Sequence, residues 1–426
     1  MYRQSKTNRD RTLYGFIIIM KENLIRLSRS IVGPAEADAV ARLIMEDGYL
    51  GMGKEVQSFE REIAEFLAVP PDSVICVNSG TAALHLSTEA VTQPGDEVLV
   101  QSLTFLATFQ AISAARAIPV PCEVVLETIT IDIKDAEKKL SDRTRAIMPV
   151  HYASNPGKLE DIYKFAGKYG LRVIEDAAHA FGCEYQNKLI GSFGDIICFS
   201  FDGIKNITSG EGGCVVTTDK KVAQYVKDAR LLGVHRDTEK RYQGQRSWEF
   251  DVTGQGYRYH MSNLFAALGR VQLKRFEKEF KPRRIELVRR YRSAFNNVPG
   301  LRLIECDPGP IVPHIFPIIV LDGKRDVLRQ FLTDNGVECG IHYKPNHLLN
   351  FYGAKKGMLP ITELLYEQLL TLPLHPGLTD EDADYVIEKV TEFFSTAESQ
   401  SSRWLTPAKN CLVGDQKYES GYPMRR

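Results

Sequence analysis

Three short segments of the sequence carry residues that could bind and transform a small anionic molecule. In the first, a short apolar run leads into a helical pattern through Ser79, Gly80 and Thr81. Free backbone N–H groups at the start of a helix, together with hydroxyl groups, form a site suited to phosphate. Taken alone, such a segment is more often an ordinary helix cap. Residues 79–81 are therefore candidate phosphate ligands whose role depends on what the rest of the chain supplies.

The second segment ends an apolar run with Glu175 and Asp176, which are followed by two alanines and then His179. Ligands of open α/β sheets bind at the carboxyl ends of the strands. The small alanines leave room for a flat ring, and the Asp176 carboxylate could keep a pyridine nitrogen protonated. A lone aspartate at the end of a strand is more often a cap.

The third segment contains Lys205. This lysine lies on a turn flanked by glycine, after one apolar run and before another. Most lysines are solvated surface charges, but a position between two buried strands argues against that for Lys205. In chain order the three segments supply a phosphate site, a carboxylate for a ring nitrogen and an amine. Pyridoxal 5'-phosphate (PLP) requires all three, because the protein must anchor its phosphate, keep its ring protonated and form an imine with it.

The elements that must position these residues alternate between short strands and helices from about residue 74 to 219. This alternation is typical of βαβ units around a mainly parallel sheet. The predicted strands are seven short segments: 74–77, 97–100, 118–120, 146–151, 171–175, 196–201 and 214–217.

After about residue 280 the pattern changes to a second, smaller α/β unit. It begins with a basic helix at 283–295, followed by a strand at 314–320 and helices near 324–335, 361–370 and 380–395. With 426 residues, the chain exceeds the roughly 250 to 300 residues that one core usually supports. We predict an N-terminal extension, a large PLP-binding domain with an N-terminal arm, a small C-terminal domain and a flexible tail, at residues 1–24, 25–280, 281–396 and 397–426 respectively.

Composition excludes several classes of function. Lys plus Arg and Asp plus Glu both number 54, so no basic excess indicates a nucleic-acid partner. The eight cysteines are scattered without a CxxC pair, which indicates reduced thiols and neither a disulfide framework nor a metal site. The apolar stretch 16–20 is too short to span a membrane. A cytoplasmic protein with a small-molecule substrate is the expectation.

Through these residues, the chain resembles the DegT/DnrJ/StrS sugar aminotransferases. That family has the type I fold of PLP-dependent enzymes, also called the aspartate-aminotransferase fold. The resemblance covers about residues 25–395. Five motifs in order carry it: residues 79–86, 94–98, 104–108, 175–180 and 199–213, the last of which includes Lys205.

The resemblance implies a role for each candidate residue. Lys205 would form the imine with PLP, and Asp176 would pair with the pyridine nitrogen. Gly80, Thr81 and Ser200 would hold the phosphate. Phe105 would stack on the ring, and His179 would lie near its phenolic oxygen.

The sequence departs from the family pattern in two places. Arg258 stands where the family often has an asparagine that touches the phosphate bound in the partner subunit, and a guanidinium could keep that contact. Ser154 and Asn155 stand where the family usually has a Gly–Gln pair, which puts substrate contacts there in doubt. In the C-terminal part, His342 and Lys344 could face the sugar.

The activity implied by the resemblance is transfer of an amino group from L-glutamate to a keto sugar. Nucleotide-linked keto-deoxysugars for O-antigen, lipopolysaccharide or other glycoconjugates are the usual acceptors, and the family is homodimeric. Alternatives are a sugar dehydratase, a lyase or decarboxylase of the same fold, and a non-catalytic PLP-binding regulator. Lys205 argues against the dehydratases, in which histidine replaces this lysine. A nicotinamide dehydrogenase is disfavoured because no GxGxxG follows the first strand.

Overall fold

A computed structural model of the protein describes residues 24–235, 237–246, 248–252, 254–306 and 311–399. The predicted N-terminal extension, apart from Leu24, and the part of the predicted tail from residue 400 onwards lie outside the described residues. Among the residues that are described, no helix has the length and apolar character needed to cross a bilayer.

The strands form a large sheet, a small sheet and a two-stranded ribbon. In chain order they are β1 (Val74–Val77), β2 (Glu97–Gln101), β3 (Ile118–Cys122), β4 (Thr144–Met148), β5 (Arg172–Asp176), β6 (Glu184–Tyr185), β7 (Lys188–Leu189), β8 (Ile196–Ser200), β9 (Gly213–Val216), β10 (Leu301–Leu303), β11 (Phe316–Val320) and β12 (Leu369–Leu372).

Two α-helices of the described chain precede β1, and the others lie between and after the strands. In chain order they are α1 (Pro34–Arg42), α2 (Lys54–Leu67), α3 (Gly80–Glu89), α4 (Leu106–Ala114), α5 (Ile133–Lys138), α6 (Leu159–Tyr169), α7 (Lys220–Ala229), α8 (Asp237–Tyr242), α9 (Asn263–Arg275), α10 (Lys281–Phe295), α11 (Arg325–Asp334), α12 (Pro360–Gln368) and α13 (Asp380–Ser399). The last helix continues beyond the predicted end at residue 395 and includes the first three residues of the predicted tail.

The large sheet has seven strands in the order β1-β9-β8-β5-β4-β2-β3. β9 runs antiparallel to β1 and β8, and the remaining neighbours pair in parallel. The prediction of a mainly parallel seven-stranded sheet is therefore confirmed, and each predicted strand overlaps an observed one. Because β1, β5 and β8 point the same way, the residues that follow them meet at one edge of the sheet.

Helices cover both faces of this sheet, as a parallel sheet requires. On one face, α2 packs its apolar stripe, which includes Phe59 and Ile63, into a core shared with Phe199 of β8. On the other face, α3 and α4 bury Leu86 and Phe109 in a second core. The sheet is rigidly packed from both sides, so the loops at its carboxyl edge have a fixed base.

The C-terminal part contains the antiparallel sheet β10-β11-β12, whose strands share a core with α10, α11 and α13. The prediction of a helix near 361–370 is wrong at the C-terminal end of that helix. The structure ends it at Gln368, and Leu369–Leu372 forms β12, whose Leu370 pairs with Ile318 of β11. Pairing of buried leucines with β11 outweighs the helical preference of leucine in this segment.

A continuous helical run leads toward the small sheet. α9 continues through a π-helical turn, Phe276–Phe280, directly into α10. The domain division that we predict near residue 280 falls at the end of this turn, inside one continuous helical run. The chain continues through this point as helix, and no loop marks a boundary there. The division into two domains therefore stays a prediction.

Candidate active site

A cavity of about 340 Å³ opens at the carboxyl edge of the large sheet. Its walls come from the loops after β1, β2, β5 and β8 and from two segments of the C-terminal part. Most of the residues predicted from sequence line it: Gly80, Thr81, Phe105, Asp176, His179, Ser200, Lys205 and His342. The fold therefore brings together side chains that lie more than 200 positions apart in the sequence.

Lys205 lies in the loop that connects β8 to β9, where its N–H donates to the carbonyl oxygen of Asp202 at 3.0 Å. Its Nζ lies 3.4 Å from Nε2 of His314. Burial lowers the pKa of Lys205 to about 8, and the positive charge of Arg284 adds to this effect against the opposing influence of Asp202 and Asp176. Part of the Lys205 amine is therefore uncharged at neutral pH, and more of it is uncharged at mildly alkaline pH. Nucleophilic attack and proton transfer both require this uncharged form.

Asp176 is the last residue of β5 and is 4% exposed. Its Oδ2 accepts a hydrogen bond from the Thr108 hydroxyl at 2.7 Å, and its Oδ1 accepts one from the N–H of Ala178 at 3.2 Å. Burial raises its pKa above the usual value. Within the described part of the chain no cation pairs with this carboxylate, so a positively charged group in the cavity would stabilise its ionised form.

The amino end of α3 forms the part of the cavity suited to phosphate. Ser79 caps the helix by accepting the N–H of Ala82 at 3.1 Å, and its carbonyl oxygen accepts the N–H of Ala83 at 3.1 Å. Gly80 and Thr81 therefore hold the first positions of the helix, whose N–H groups have no partner within it. A Cβ on Gly80 would lie 2.8 Å from Cβ of Ser200, so only glycine allows this close approach of helix and strand. Gly80, Thr81 and Ser200 consequently meet at one end of the cavity.

Phe105 precedes α4 and remains 56% exposed, although it lines the cavity. The centre of its ring lies 5.5 Å from that of Tyr343. An exposed aromatic ring at a cavity wall is suited to stacking on a flat ligand.

Two cavity residues that the sequence did not indicate are His314 and Tyr343. The rings of His179 and His314 are 4.5 Å apart, and Nε2 of His179 lies 3.1 Å from the Tyr343 hydroxyl. Burial holds the pKa values of both histidines well below their ordinary range, and Lys205 adds to this effect. Both rings are therefore neutral, and each has one nitrogen that donates and one that accepts a hydrogen bond.

The remaining predicted residues have different surroundings. His342 lines the cavity, where its Nδ1 lies 2.8 Å from the Thr371 hydroxyl and burial lowers its pKa to about 4. Lys344 is exposed and lies outside the lining. Arg258 also lies outside the cavity of its own chain, and its carbonyl oxygen accepts from the Asn78 side chain at 3.3 Å. Its predicted contact with a partner subunit stays a prediction.

These residues fit PLP on three observations. The Asp176 carboxylate is buried and lacks a cation partner in the described chain. In the same described part, Nδ1 of His179 and Nδ1 of His314 are buried without a hydrogen-bond partner. Finally, the close approach of Gly80 to Ser200 brings the amino end of α3 and a hydroxyl group together at one end of the cavity, a combination suited to phosphate.

The pKa of Lys205 predicts how its amine reacts in the cofactor-free protein. With a small acylating reagent, we expect half-maximal labelling of Lys205 near pH 8, because only the neutral amine reacts and burial favours that form. Quantitative mass spectrometry of the digested protein measures this across a pH series. Exposed lysines in the same digest, which titrate near about 10.4, serve as the internal control. Labelling of Lys205 that parallels those surface lysines would contradict the buried, neutral amine.

Comparison with known proteins agrees with the chemistry of this cavity. The sequence profile of the DegT/DnrJ/EryC1/StrS aminotransferase family matches residues 33–391. The chain is 35% identical over 393 residues to the spore coat polysaccharide biosynthesis protein SpsC of Bacillus subtilis, covering 89% of this chain and 100% of SpsC. It is 32% identical over 386 residues to the dTDP-4-dehydro-2,3,6-trideoxy-D-glucose 4-aminotransferase of Saccharopolyspora spinosa, covering 89% of this chain and 99% of that protein.

The fold is also similar to that of a Streptococcus pneumoniae protein solved in its PLP form. The TM-score is 0.80 at 28% identity, over 88% of this chain and 99% of the other. The same protein has been solved in its pyridoxamine phosphate form. The cavity described above is thus part of a fold that carries PLP in a relative.

Proposed function

Because the chain belongs to the DegT/DnrJ/EryC1/StrS aminotransferase family and is therefore a PLP-dependent aminotransferase, we propose that it moves an amino group from L-glutamate to a keto sugar. The acceptor we propose is a nucleotide-linked keto-deoxysugar, as in the name of the Saccharopolyspora relative. The observation that carries the proposal is the position of Lys205, which is half-buried and shares one cavity with Asp176 and the amino end of α3. The product would serve polysaccharide or glycoconjugate biosynthesis, such as O-antigen or lipopolysaccharide.

Each cavity residue then has a defined task. Gly80, Thr81 and Ser200 would hold the cofactor phosphate, and Phe105 would cover the ring. PLP bound here supplies an aldehyde and an electron-withdrawing ring, which acidify the Cα–H bond of the donor amino acid. Asp176 would keep the ring nitrogen protonated.

Lys205 would move the reactive proton. With a pKa near 8, its neutral Nζ can take the proton from Cα of the bound glutamate and hold it until transfer. His314, with Nε2 at 3.4 Å, orients this amine. Because His179 and His314 are neutral, they add no positive charge that would compete with the protonated amine.

A visible spectrum tests the proposal directly. The purified protein loaded with PLP should absorb near about 410 to 430 nm, and L-glutamate should shift the band toward about 330 nm. A nucleotide-linked 4-keto-6-deoxyhexose should then restore the original band, whereas a simple 2-oxo acid such as pyruvate should not.

The other outcomes separate the alternatives. A coloured protein that ignores glutamate would contradict the aminotransferase reaction and favour a lyase or a binding protein. A glutamate response that the keto sugar does not reverse would contradict the sugar acceptor.

We also propose that the protein works as a homodimer. Large apolar side chains outside the cavity remain exposed in this single chain, among them Ile44, Met45 and Phe265, with Met45 82% exposed. Burial against a second copy would remove such side chains from water. Sedimentation over a dilution series, with activity measured alongside, tests this. We expect a dimer whose activity falls as it dissociates, and a fully active monomer would refute the proposal.

For the location of the protein, we propose the cytoplasm. Five buried cysteines in the described chain carry free thiols, namely Cys76, Cys122, Cys183, Cys198 and Cys214. Free thiols are typical of a reducing compartment.

A further inference from the structure

Ser154 lies in the turn after β4 and is completely buried, directly behind His179 and His314 of the cavity wall. The turn holds Ala153 and Ser154 in the left-handed region, with φ angles of 51° and 71°. Glycine is the residue that adopts this conformation without strain. A serine here is therefore conformationally unfavourable, so any advantage of serine over glycine at this position lies in the contacts of its side chain.

The hydroxyl group of Ser154 connects two histidines of the site. It donates to the carbonyl oxygen of His179, and it accepts the N–H of His314 at 2.9 Å. His179 follows β5 of the large sheet, whereas His314 precedes β11 of the small sheet. One buried hydroxyl thus satisfies both neighbours and joins the two parts of the chain at the cavity.

Other contacts hold the same two segments, but each of those described next touches at most one of the two histidines. The Asn206 side chain donates to the carbonyl oxygens of Phe181 and Val312 at 3.1 and 3.0 Å. Arg284 donates to the carbonyl oxygen of His314 at 3.2 Å. Of the contacts in the described structure, the Ser154 hydroxyl is the one that touches the backbones of both His179 and His314.

This link reaches the reactive amine through His314. Its Nε2 lies 3.4 Å from Nζ of Lys205, and its ring centre lies 4.5 Å from that of His179, which contacts Tyr343. A small displacement of His314 would open the packing around Lys205. Misplacement of an active-site group by about 1 Å can cost on the order of 10²-fold in rate.

We propose that Ser154 is a positioning residue whose hydroxyl fixes His179 and His314 relative to each other and so keeps the His314 imidazole against the Lys205 amine. For its effect on catalysis the inference rests on the proposed function. Its effect on the geometry around Lys205 is independent of any substrate.

The decisive variant is Ser154→Gly. Glycine removes the hydroxyl and at the same time relieves the left-handed backbone, so a merely structural role predicts at most a change in stability, with an unchanged labelling midpoint of Lys205. A positioning role predicts that water enters around Lys205 and that its labelling midpoint rises from about pH 8 by about half a unit or more, because burial is the main cause of the low pKa. The rate of the glutamate half-reaction should fall by about tenfold.

Ala153→Gly is the matched control, because it relieves the neighbouring left-handed residue without removing a hydroxyl. We expect its labelling midpoint and its rate to match those of the original protein. Ser154→Ala removes the hydroxyl but keeps the backbone strain, so it should shift the midpoint like Ser154→Gly, and it replaces that variant if the glycine protein does not fold.

Two results would overturn the inference. The first is an unchanged Lys205 midpoint in both Ser154 variants, and the second is an equal shift in Ala153→Gly. Since labelling uses the cofactor-free protein without glutamate or sugar, these results are independent of the spectral test of the proposed function. That test can fail in the original protein while the positioning role of Ser154 is still supported.

Discussion

Replacing Lys205 with alanine is expected to lower the rate of the glutamate half-reaction by about 10⁴-fold, the upper end of what one general acid–base group contributes. The alanine cannot take the proton from Cα of glutamate, and no other amine in the described chain lines the cavity. Rapid-mixing absorbance at about 330 nm, together with the yield of oxoglutarate, measures the loss.

The phosphate end of the cavity is untouched by this change, so the variant should still retain PLP, although without the imine. Lys164→Ala is the control, since Lys164 is exposed on α6 and outside the cavity. Its rate should equal that of the original protein. A Lys205→Ala protein that keeps a rate within tenfold of the original would show that another group moves the proton.

Replacing Asp176 with asparagine is expected to reduce the same rate by about 10³-fold, within the range for loss of one electrostatic or acid–base group. Asparagine keeps the size of the side chain and can still accept from Thr108, but it cannot hold a pyridine nitrogen in its protonated form. The PLP content, measured after alkaline release, should stay near one per chain, because Gly80, Thr81, Ser200 and Lys205 remain.

Thr108→Val is a milder change at the same carboxylate. It removes the 2.7 Å hydrogen bond to Asp176 but leaves the carboxylate in place, so its rate should lie between those of Asp176→Asn and the original protein. Asp176→Asn should also lower the labelling midpoint of Lys205, because the Asp176 charge raises the pKa of that amine. This is opposite in sign to the shift expected for Ser154→Gly. A fully active Asp176→Asn protein would contradict the assigned role of the carboxylate.

The large sheet was predictable because its strands are short, apolar and separated by helices with clear periodicity. β8, for example, is buried along its whole length and reads as a continuous apolar run. β12 was not predictable, because Leu369–Leu372 follows a helix without a break and becomes a strand only by pairing with β11. The π-helical turn Phe276–Phe280 likewise has no local signal that distinguishes it from an ordinary helix.

The placement of Ser79 to Thr81 and Asp176 at strand ends, and of Lys205 in the loop after β8, followed from the apolar runs beside them, because those runs are local features of the chain. The roles of His314 and Tyr343 in the cavity, and the link that Ser154 makes between His314 and His179, became visible only once the chain was folded. His314 follows Lys205 by more than 100 residues, and its approach depends on how the small sheet packs against the large one. Such contacts arise from long-range packing, which no local pattern of residues encodes.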